Sequence, residues 1–345
     1  MPSPCLYSWM KERALQNLHR CFERSPDDLP WFINLCVTAR CNLNCRMCQS
    51  NVASHEEPAT ERWLRFFDRL GAWLPRPRVV TLTGGEPLMR DDVLTLVKRL
   101  AELGFEPRLN TNGALLDIEC IHALVDAGLR VINLSFHGVG ETHDRLRNAP
   151  GLFQGVMDMI EYMCERTNLA VRAVGVINAI GAREMPELVR RLAAFPRFGV
   201  VHFQAVIPTL SLPWSSSFFY ADALWPRDPE VLAQVLDVLD ELERMKRDGL
   251  PINNPPSQFA QWRRYFRDPM HAFQNLPCDV GDDNLIALSD GAITFCDHLG
   301  RLGTIDDDPR ALWESPAAAR LREDMRRCRR ACNYRVNCCY VEQNC

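Results

Sequence analysis

The sequence predicts an α/β protein: a partial (β/α)6 TIM-type barrel followed by a small cysteine-rich α+β extension made of a hairpin and a helix. Between residues 32 and 206, short runs of β-forming residues alternate with segments of helical periodicity, which is typical of a parallel sheet wrapped by helices. The last 68 residues hold seven of the 15 cysteines. They therefore predict a separate metal-binding region.

Six strands are predicted, at residues 32–37, 79–83, 107–110, 131–136, 169–177 and 200–206. The helix after the first strand repeats apolar residues at spacings of three and four from Trp63 to Leu74, with Thr60 as its N-cap. The next two helices end at Gly104 and Gly128, because glycine commonly follows the last helical residue. Six β-α units result.

The chain divides into four predicted regions: an N-terminal helical segment, the barrel, a linker of loops with one helix, and the cysteine-rich domain, at 1–31, 32–206, 207–277 and 278–345. The linker carries a long amphipathic helix at 229–248, whereas its prolines predict an irregular chain over 251–277. Two short alternating runs around Ser289-Asp290-Gly291 predict a hairpin.

Composition excludes several classes of protein. With 47% hydrophobic and 24% charged residues the chain is globular, and a net charge of −4 gives no reason to expect a nucleic-acid partner. No apolar run approaches the ~20 residues of a membrane helix, and the first residues do not resemble a signal peptide. We therefore expect a cytoplasmic protein, in which 15 cysteines indicate metal ligation rather than disulfides.

Cys41, Cys45 and Cys48 place three thiols within eight residues, directly after the first predicted strand. Loops at the carboxyl ends of barrel strands are where such folds carry their chemistry. Structural zinc sites usually need a second cysteine pair, and none lies nearby in the sequence. Three thiolates on one loop favour a [4Fe-4S] cluster with one open iron; a structural zinc or an accidental cluster is the alternative.

This Cys-x3-Cys-x2-Cys spacing after a first strand resembles that of the radical S-adenosylmethionine (radical SAM) enzymes, over residues 32–206. The resemblance extends to Thr83-Gly-Gly-Glu-Pro87, which is similar to the glycine-rich segment whose backbone holds the methionine amino group of S-adenosylmethionine in that family. It implies that Gly84, Gly85, Glu86 and Pro87 bind the cofactor. Taken alone, the segment would be a turn or the start of a helix.

Three further residues match cofactor contacts of the family. The resemblance places Asn112 near the adenosine and the substrate, Ser135 at the ribose, and Arg172 at the methionine carboxylate. Structural roles at strand ends or in ion pairs are the alternatives. The chain departs from the family at Met47 and Gln49, where aromatic residues are frequent, and at His137, where aspartate is common; we expect His137 and His143 to be structural.

The cysteine-rich tail resembles the SPASM and twitch extensions of radical SAM enzymes. The implied ligands of one auxiliary [4Fe-4S] cluster, or alternatively of two, are Cys278, Cys296, Cys328, Cys332, Cys338, Cys339 and Cys345. A zinc knuckle is the other alternative. Asp297 stands where sulfatase-maturing relatives have a catalytic base, or it is a hairpin residue facing solvent. Arginines around Cys328 are either a solvated helix face or a means of attracting an acidic substrate.

The resemblance implies a radical SAM oxidoreductase. A reduced cluster would cleave S-adenosylmethionine to a 5'-deoxyadenosyl radical that abstracts hydrogen from a small metabolite or peptide, while the auxiliary cluster accepts an electron or binds the substrate. Peptide-modifying members of the family frequently carry a peptide-binding domain ahead of the barrel, for which about 31 residues are too few, so a small metabolite or a peptide delivered by a separate protein is favoured. A partner such as flavodoxin or ferredoxin would supply the electron. The alternative is an iron-sulfur or zinc protein for electron transfer or sensing that does not cleave S-adenosylmethionine.

Overall fold

Six parallel strands form the centre of the computed structural model, which describes residues 27–48, 56–208 and 214–338. They lie side by side in chain order: Phe32–Thr38 (β1), Val79–Gly84 (β2), Glu106–Thr111 (β3), Val131–Phe136 (β4), Ala170–Ile177 (β5) and Val200–Ala205 (β6). Every predicted strand is confirmed, with ends within one residue. The sheet does not close between β6 and β1, so the barrel is partial as predicted.

Helices cover the outer face of this sheet. They are Thr60–Trp73 (α1), Val93–Glu102 (α2), Ile118–Asp126 (α3), Glu141–Arg147 (α4), Leu152–Arg166 (α5) and Met185–Ala193 (α6). Along β1, Ile33, Leu35 and Val37 are fully buried, whereas Asn34 and Cys36 on the opposite face are partly accessible. The prediction that Thr60 caps α1 is wrong, because Ala59 is the N-cap and Thr60 Oγ1 donates to Asp92 instead (2.6 Å).

The predicted hairpin is confirmed and extends the barrel sheet. Its strands are Asn284–Ala287 (β7) and Ala292–Thr294 (β8), and Gly303–Thr304 (β9) follows them. β7 pairs in parallel with β1, from Phe32 opposite Asn284 to Leu35 opposite Ala287, so that all nine strands form one sheet. The cysteine-rich extension is thus continuous with the barrel.

The other edge of the sheet, β6, is covered by loop segments. Val201 exchanges backbone hydrogen bonds with Pro251 and Asn253. At Phe203 the side-chain amide of Asn254 accepts from the backbone N–H (2.7 Å) and donates to the carbonyl (2.9 Å). Asn337 does the same at Ala205 (2.9 and 3.0 Å). These contacts satisfy groups that would otherwise form an open strand edge.

Between β6 and β7 the described residues form the helices Phe218–Ala221 (α7), Pro229–Arg247 (α8) and Pro256–Arg267 (α9). α8 confirms the predicted amphipathic helix. The expectation of an irregular chain over 251–277 is wrong in part, because α9 occupies its centre. Its prolines lie at the start of the helix, where proline is tolerated, and its apolar face buries Phe259, Trp262, Tyr265 and Phe266.

The tail adds Pro309–Trp313 (α10), Pro316–Arg327 (α11) and a π-helical turn at Tyr334–Cys338. The guanidinium of Arg322 lies over the rings of Phe295 (4.5 Å) and Trp313 (4.3 Å), which fixes α11 against the hairpin. In the described parts of the chain, no helix is both long and apolar enough to cross a bilayer.

Candidate metal centre and active site

Cys41, Cys45 and Cys48 lie on the loop that leaves the carboxyl end of β1. The loop is fixed by a hydrogen bond from the Cys48 backbone N–H to the Cys45 carbonyl (3.1 Å) and by another from Arg46 N to Leu146 O (2.9 Å). Burial raises the pKa of the Cys41 and Cys45 thiols, and the charges of neighbouring thiolates, that of Cys48 among them, raise these two pKa values further. A bound cation would offset the electrostatic cost of deprotonating these thiols.

Asn112 connects the end of β3 to this loop. Its Nδ2 lies 3.8 Å from Cys41 Sγ and donates to Asn42 Oδ1 (2.9 Å), while its Oδ1 accepts from Ala114 N (2.8 Å). The backbone N–H of Asn112 donates to the buried carboxylate of Glu86 (2.7 Å). Glu86 also accepts from Thr111 Oγ1 and from Leu88 N, and so holds the β2 and β3 loops together.

Gly84 and Gly85 pack directly against the backbone that leads to Cys41. A Cβ on Gly84 would lie 2.1 Å from the Thr38 carbonyl oxygen, and one on Gly85 would lie 2.1 Å from that of Arg40. The backbone N–H groups of Gly85 and Glu86 donate to these same two carbonyls, both at 2.8 Å. Glycine is therefore required here by close backbone approach.

Arg147, the last residue of α4, lies beside Cys45. Its Nη1 is 4.0 Å from Cys45 Sγ, and its Nη2 donates to the Ser135 carbonyl (2.9 Å). The residue is 4% exposed. Ser135, the predicted ribose contact at the end of β4, is thus placed one side chain away from the cysteine loop.

Polar side chains line the inner face of the sheet. Asn110 donates to Thr83 Oγ1 (3.3 Å) and Asn133 donates to Asn110 Oδ1 (2.7 Å), so three neighbouring strands are joined. Arg172 lies beside Asn133 in the register of β4 and β5. Its charge, together with burial, lowers the pKa of His202 on β6 to about 4. Strands buried on both faces are normally apolar, so this polar strip marks the candidate substrate cavity.

In the tail, Cys278, Cys296 and Cys332 are buried, and the charge of Cys278 contributes to a raised pKa at both Cys296 and Cys332. Burial is the main cause, and it raises the pKa of Cys296 to about 12 and that of Cys332 to about 11. Cys328 interacts with Cys332, and Cys338 with the nearby Tyr334. The predicted ligands Cys339 and Cys345 lie outside the described residues.

Asp297 is connected to this region by Tyr334, whose hydroxyl donates to Asp297 Oδ1 (3.1 Å). Asp297 is exposed to solvent. The surrounding protein raises the pKa of its carboxyl, and the hydrogen bond from Tyr334 opposes this rise. The charge of Asp297 also reaches Cys36 on β1, whose pKa is raised to about 12, chiefly by burial. Asp297 is therefore near enough to the inner face of the barrel for its charge to act on Cys36.

The donor set fits iron-sulfur chemistry at both places, because thiols are gathered beside N–H donors or cationic groups. Asn112 and Arg147 contact the sulfurs of the first loop, and in the tail the charges of Cys278 and Cys328 act on Cys332. Across 27–48, 56–208 and 214–338, no three Cys, His, Asp or Glu side chains form a closed metal-ligand set. The thiols would have to move together around a cluster.

Arg147, Tyr334 and the strip from Thr83 to Asn133 were not predicted as site residues. Arg147 could not be recognised as a site residue from the sequence, because the helix Glu141–Arg147 is rich in charged residues, which is typical of a solvated surface. The polar strip had a signal that could have been used, since asparagines recur at alternate positions in otherwise buried strands.

Comparison with known proteins identifies the class. Residues 35–192 match the family model of the radical SAM superfamily. The chain is 26% identical over 305 residues to an AdoMet-dependent heme synthase of Methanosarcina barkeri, a match that covers 84% of this chain and 83% of that protein. It is 33% identical over 141 residues to a probable GTP 3',8-cyclase of Thermococcus kodakarensis, covering 38% and 44%.

Two solved structures share the fold. SuiB of Streptococcus suis bound to S-adenosylmethionine aligns with a TM-score of 0.66 at 14% identity, over 90% of this chain and 71% of that one. The structure of anSMEcpe with bound AdoMet and the Cp18Cys peptide aligns with a TM-score of 0.63 at 18% identity, over 85% and 82%. Residues 35–192 therefore form a radical SAM domain, and the chain is an enzyme of that class.

Proposed function

We propose that this enzyme is a radical SAM oxidoreductase that reductively cleaves S-adenosylmethionine and abstracts hydrogen from a substrate bound in the barrel. The observation that carries the proposal is the cysteine loop, where Cys41 and Cys45 lie against Asn112 and Arg147 and beside the Gly84–Gly85 turn. When bound, the [4Fe-4S] cluster and S-adenosylmethionine supply the electron and the 5'-deoxyadenosyl radical.

In this proposal the chain's own residues bind and orient the cofactor. Segment 84–87, which lies against the cysteine loop, receives the methionine amino group. Arg172 provides a guanidinium for the methionine carboxylate, and Ser135 contacts the ribose. The side-chain amide of Asn112 is fixed by its hydrogen bonds, and it positions the Cys41 sulfur relative to the adenosine side of the pocket.

We further propose that the tail holds an auxiliary cluster through Cys278, Cys296 and Cys332, in the manner of SPASM and twitch domains. A substrate that has lost a hydrogen atom would then lose a proton to Asp297 and an electron to the auxiliary cluster, which completes a two-electron oxidation. Tyr334 orients the receiving carboxylate through its hydrogen bond to Oδ1.

A groove of about 560 Å³ lies beside the tail cysteines. Its lining favours a substrate with acidic groups and an apolar body. Its lining residues are Trp214, Met270, Leu299, Asp324, Arg327, Cys328, Arg329 and Arg330. Arg327 is paired with Glu323, whereas Arg329 and Arg330 donate to backbone carbonyls and present cationic groups to the groove. Carboxylates bind such arginines well. Heme, for which the M. barkeri relative is named, combines a flat apolar ring with carboxylates.

The test is cleavage of S-adenosylmethionine by anaerobically reconstituted, reduced protein. We expect slow formation of 5'-deoxyadenosine without substrate, abolished in Cys41→Ala/Cys45→Ala/Cys48→Ala, with iron falling from about eight to about four per chain because a tail cube remains. Cys120→Ala is the matched control, since this thiol lies on the outer helix α3. Iron-loaded wild type that releases no 5'-deoxyadenosine would favour electron transfer or sensing, and zinc in the tail would exclude the auxiliary cluster.

A further inference from the structure

Arg147 is a buried cation whose hydrogen bonds use only part of its guanidinium. Nη2 donates to the Ser135 carbonyl and Nη1 reaches Cys45 Sγ at 4.0 Å, while the buried Nε has no hydrogen-bond partner among the described residues. A guanidinium is always charged in proteins, and burying it without a counter-charge is costly. Its position therefore indicates an anionic partner at the cysteine loop.

The neighbours of Arg147 support this assignment. Its charge acts on Cys45, Cys41 and Glu86, the anionic groups of the loop and of the β2 turn. On its other side, His137 and His143 stack with ring centroids 6.3 Å apart. Burial, with a contribution from Arg147, keeps both imidazoles neutral, lowering the pKa of His143 to about 3 and that of His137 well below its ordinary value. Because both imidazoles are neutral, it is the guanidinium of Arg147 that carries the positive charge among these three side chains.

We propose that Arg147 is a positioning residue of the cluster at Cys41, Cys45 and Cys48, and that its buried charge makes that cluster easier to reduce. A guanidinium N–H directed at the Cys45 sulfur orients the ligand, in the way that outer hydrogen bonds orient other metal ligands. A cubane held by three thiolates becomes more negative on reduction, so a fixed nearby cation stabilises the reduced form more than the oxidised form. This inference rests on the proposed function, because it requires a cluster on this loop.

The matched control lies on the same helix. Arg145 is exposed, two residues before Arg147, and its guanidinium contacts Thr142 Oγ1 at 3.5 Å. Arg145→Gln removes the same charge from the same helix without affecting the wall of the site. Arg147→Gln removes the buried charge, and Arg147→Lys keeps a charge but loses the planar fork that reaches Ser135 and Cys45 together.

The experiment is an anaerobic redox titration of the reconstituted full chain, followed by electron paramagnetic resonance; the signal lost in the triple cysteine variant is assigned to the first cluster. For Arg147→Gln we expect the equilibrium constant for reduction of the first cluster to fall about tenfold. This corresponds to a reduction potential that is about 59 mV more negative for a one-electron step. Arg147→Lys should keep a potential near that of wild type but release iron to a chelator faster. Arg145→Gln should match wild type in both measurements.

Circular dichroism checks that each variant is folded. A folded Arg147→Gln protein that cannot retain the first cluster also supports the proposal; if this variant does not fold, the potential of Arg147→Lys decides. Equal reduction potentials and equal rates of iron release for Arg147→Gln and Arg145→Gln would overturn the inference. A tenfold fall in the equilibrium constant for reduction in Arg147→Lys would also overturn it. If the triple cysteine variant loses no iron, the proposed function fails instead, so the two failures are distinguishable.

Discussion

The side-chain amide of Asn112 lies against the sulfur of Cys41, with Nδ2 3.8 Å from Sγ. The orientation of this amide is fixed, because its oxygen accepts from Ala114 N and its nitrogen also donates to Asn42. An N–H donor is therefore held towards the first cysteine from a different strand. The loop is thus oriented from β3 at Cys41 and from α4 at Cys45.

Asn112→Asp tests this arrangement. The aspartate would still accept from Ala114 N, but it would turn an anionic oxygen towards the Cys41 sulfur and towards Asn42 Oδ1. Loss of such an outer contact typically costs about 10–100-fold in metal affinity, so we expect iron of the first cluster to be released to a chelator correspondingly faster. Asn148→Asp, at an exposed position after α4, is the control. Equal release rates in the two variants would contradict the role of Asn112.

Asp297→Asn separates hydrogen abstraction from the later steps. The amide keeps the shape but removes the proton acceptor, so 5'-deoxyadenosine should still form with substrate while product formation falls by about 10²–10⁴-fold. Tyr334→Phe should have a smaller effect, because it removes the hydrogen bond that orients the carboxylate but leaves the base. Product is measured by mass spectrometry at equal iron content. Product at the wild-type rate in Asp297→Asn would make Asp297 a hairpin residue only.

Asn254 and Asn337 should contribute to stability through the edge of β6. Truncating Asn254 to Ala leaves the buried N–H and carbonyl of Phe203 without partners, so the free energy of unfolding should fall by about 1–3 kcal/mol. Asn254→Asp should be at least as destabilising, because it keeps the acceptor but adds a buried charge and loses the donor. Urea denaturation measures both. Asn253→Ala is the control, since Asn253 pairs with Val201 through its backbone.

The buried imidazole of His143 predicts a pH dependence. Its pKa is about 3 in the folded protein, against about 6.5 in the unfolded chain, so the unfolded state binds the proton first as the pH falls. Stability should therefore decrease below pH 6.5, by up to about 1.4 kcal/mol per pH unit from this one group. In His143→Phe, which keeps the packing against Phe136 and Phe153, that part of the slope should disappear.

Urea denaturation between pH 7 and pH 5 measures this slope. His137 and His202 are also held neutral by burial, so a residual slope should remain in His143→Phe. His122→Phe, on the exposed surface of α3, provides the control. An unchanged slope in His143→Phe would mean that the imidazole is protonated at little cost in the folded protein.

The strands and the cysteine loop could be predicted because their signals are local. Alternation of side chains determines a strand within six residues, and three cysteines within eight residues need no knowledge of the fold. The helix Pro256–Arg267 was missed because the five prolines between 251 and 277 were given more weight than its buried aromatic face. Proline is disruptive inside a helix but not at its start.

Contacts between distant parts of the chain could not be predicted in the same way. Arg147 meets Cys45 from 102 residues away, and Asn337 meets Ala205 from 132 residues away. The run Asn284–Ala287 predicts a hairpin strand, but nothing in its residues says that it pairs with β1. Such pairings depend on the three-dimensional path of the chain, on which local periodicity gives no information.

The tail contacts both edges of the open sheet, at β1 through β7 and at β6 through Asn337. It therefore links the two edge strands of the incomplete barrel, β1 and β6, and keeps them at a fixed distance from each other. A protein cut before residue 284 would leave the β1 edge unpaired and would remove the Asn337 contact from Ala205, while Asn253 and Asn254 would still cover the rest of β6. We expect it to self-associate through β1 rather than to behave as a smaller version of the enzyme. The separation of β1 and β6 is thus set in part by residues 284–337.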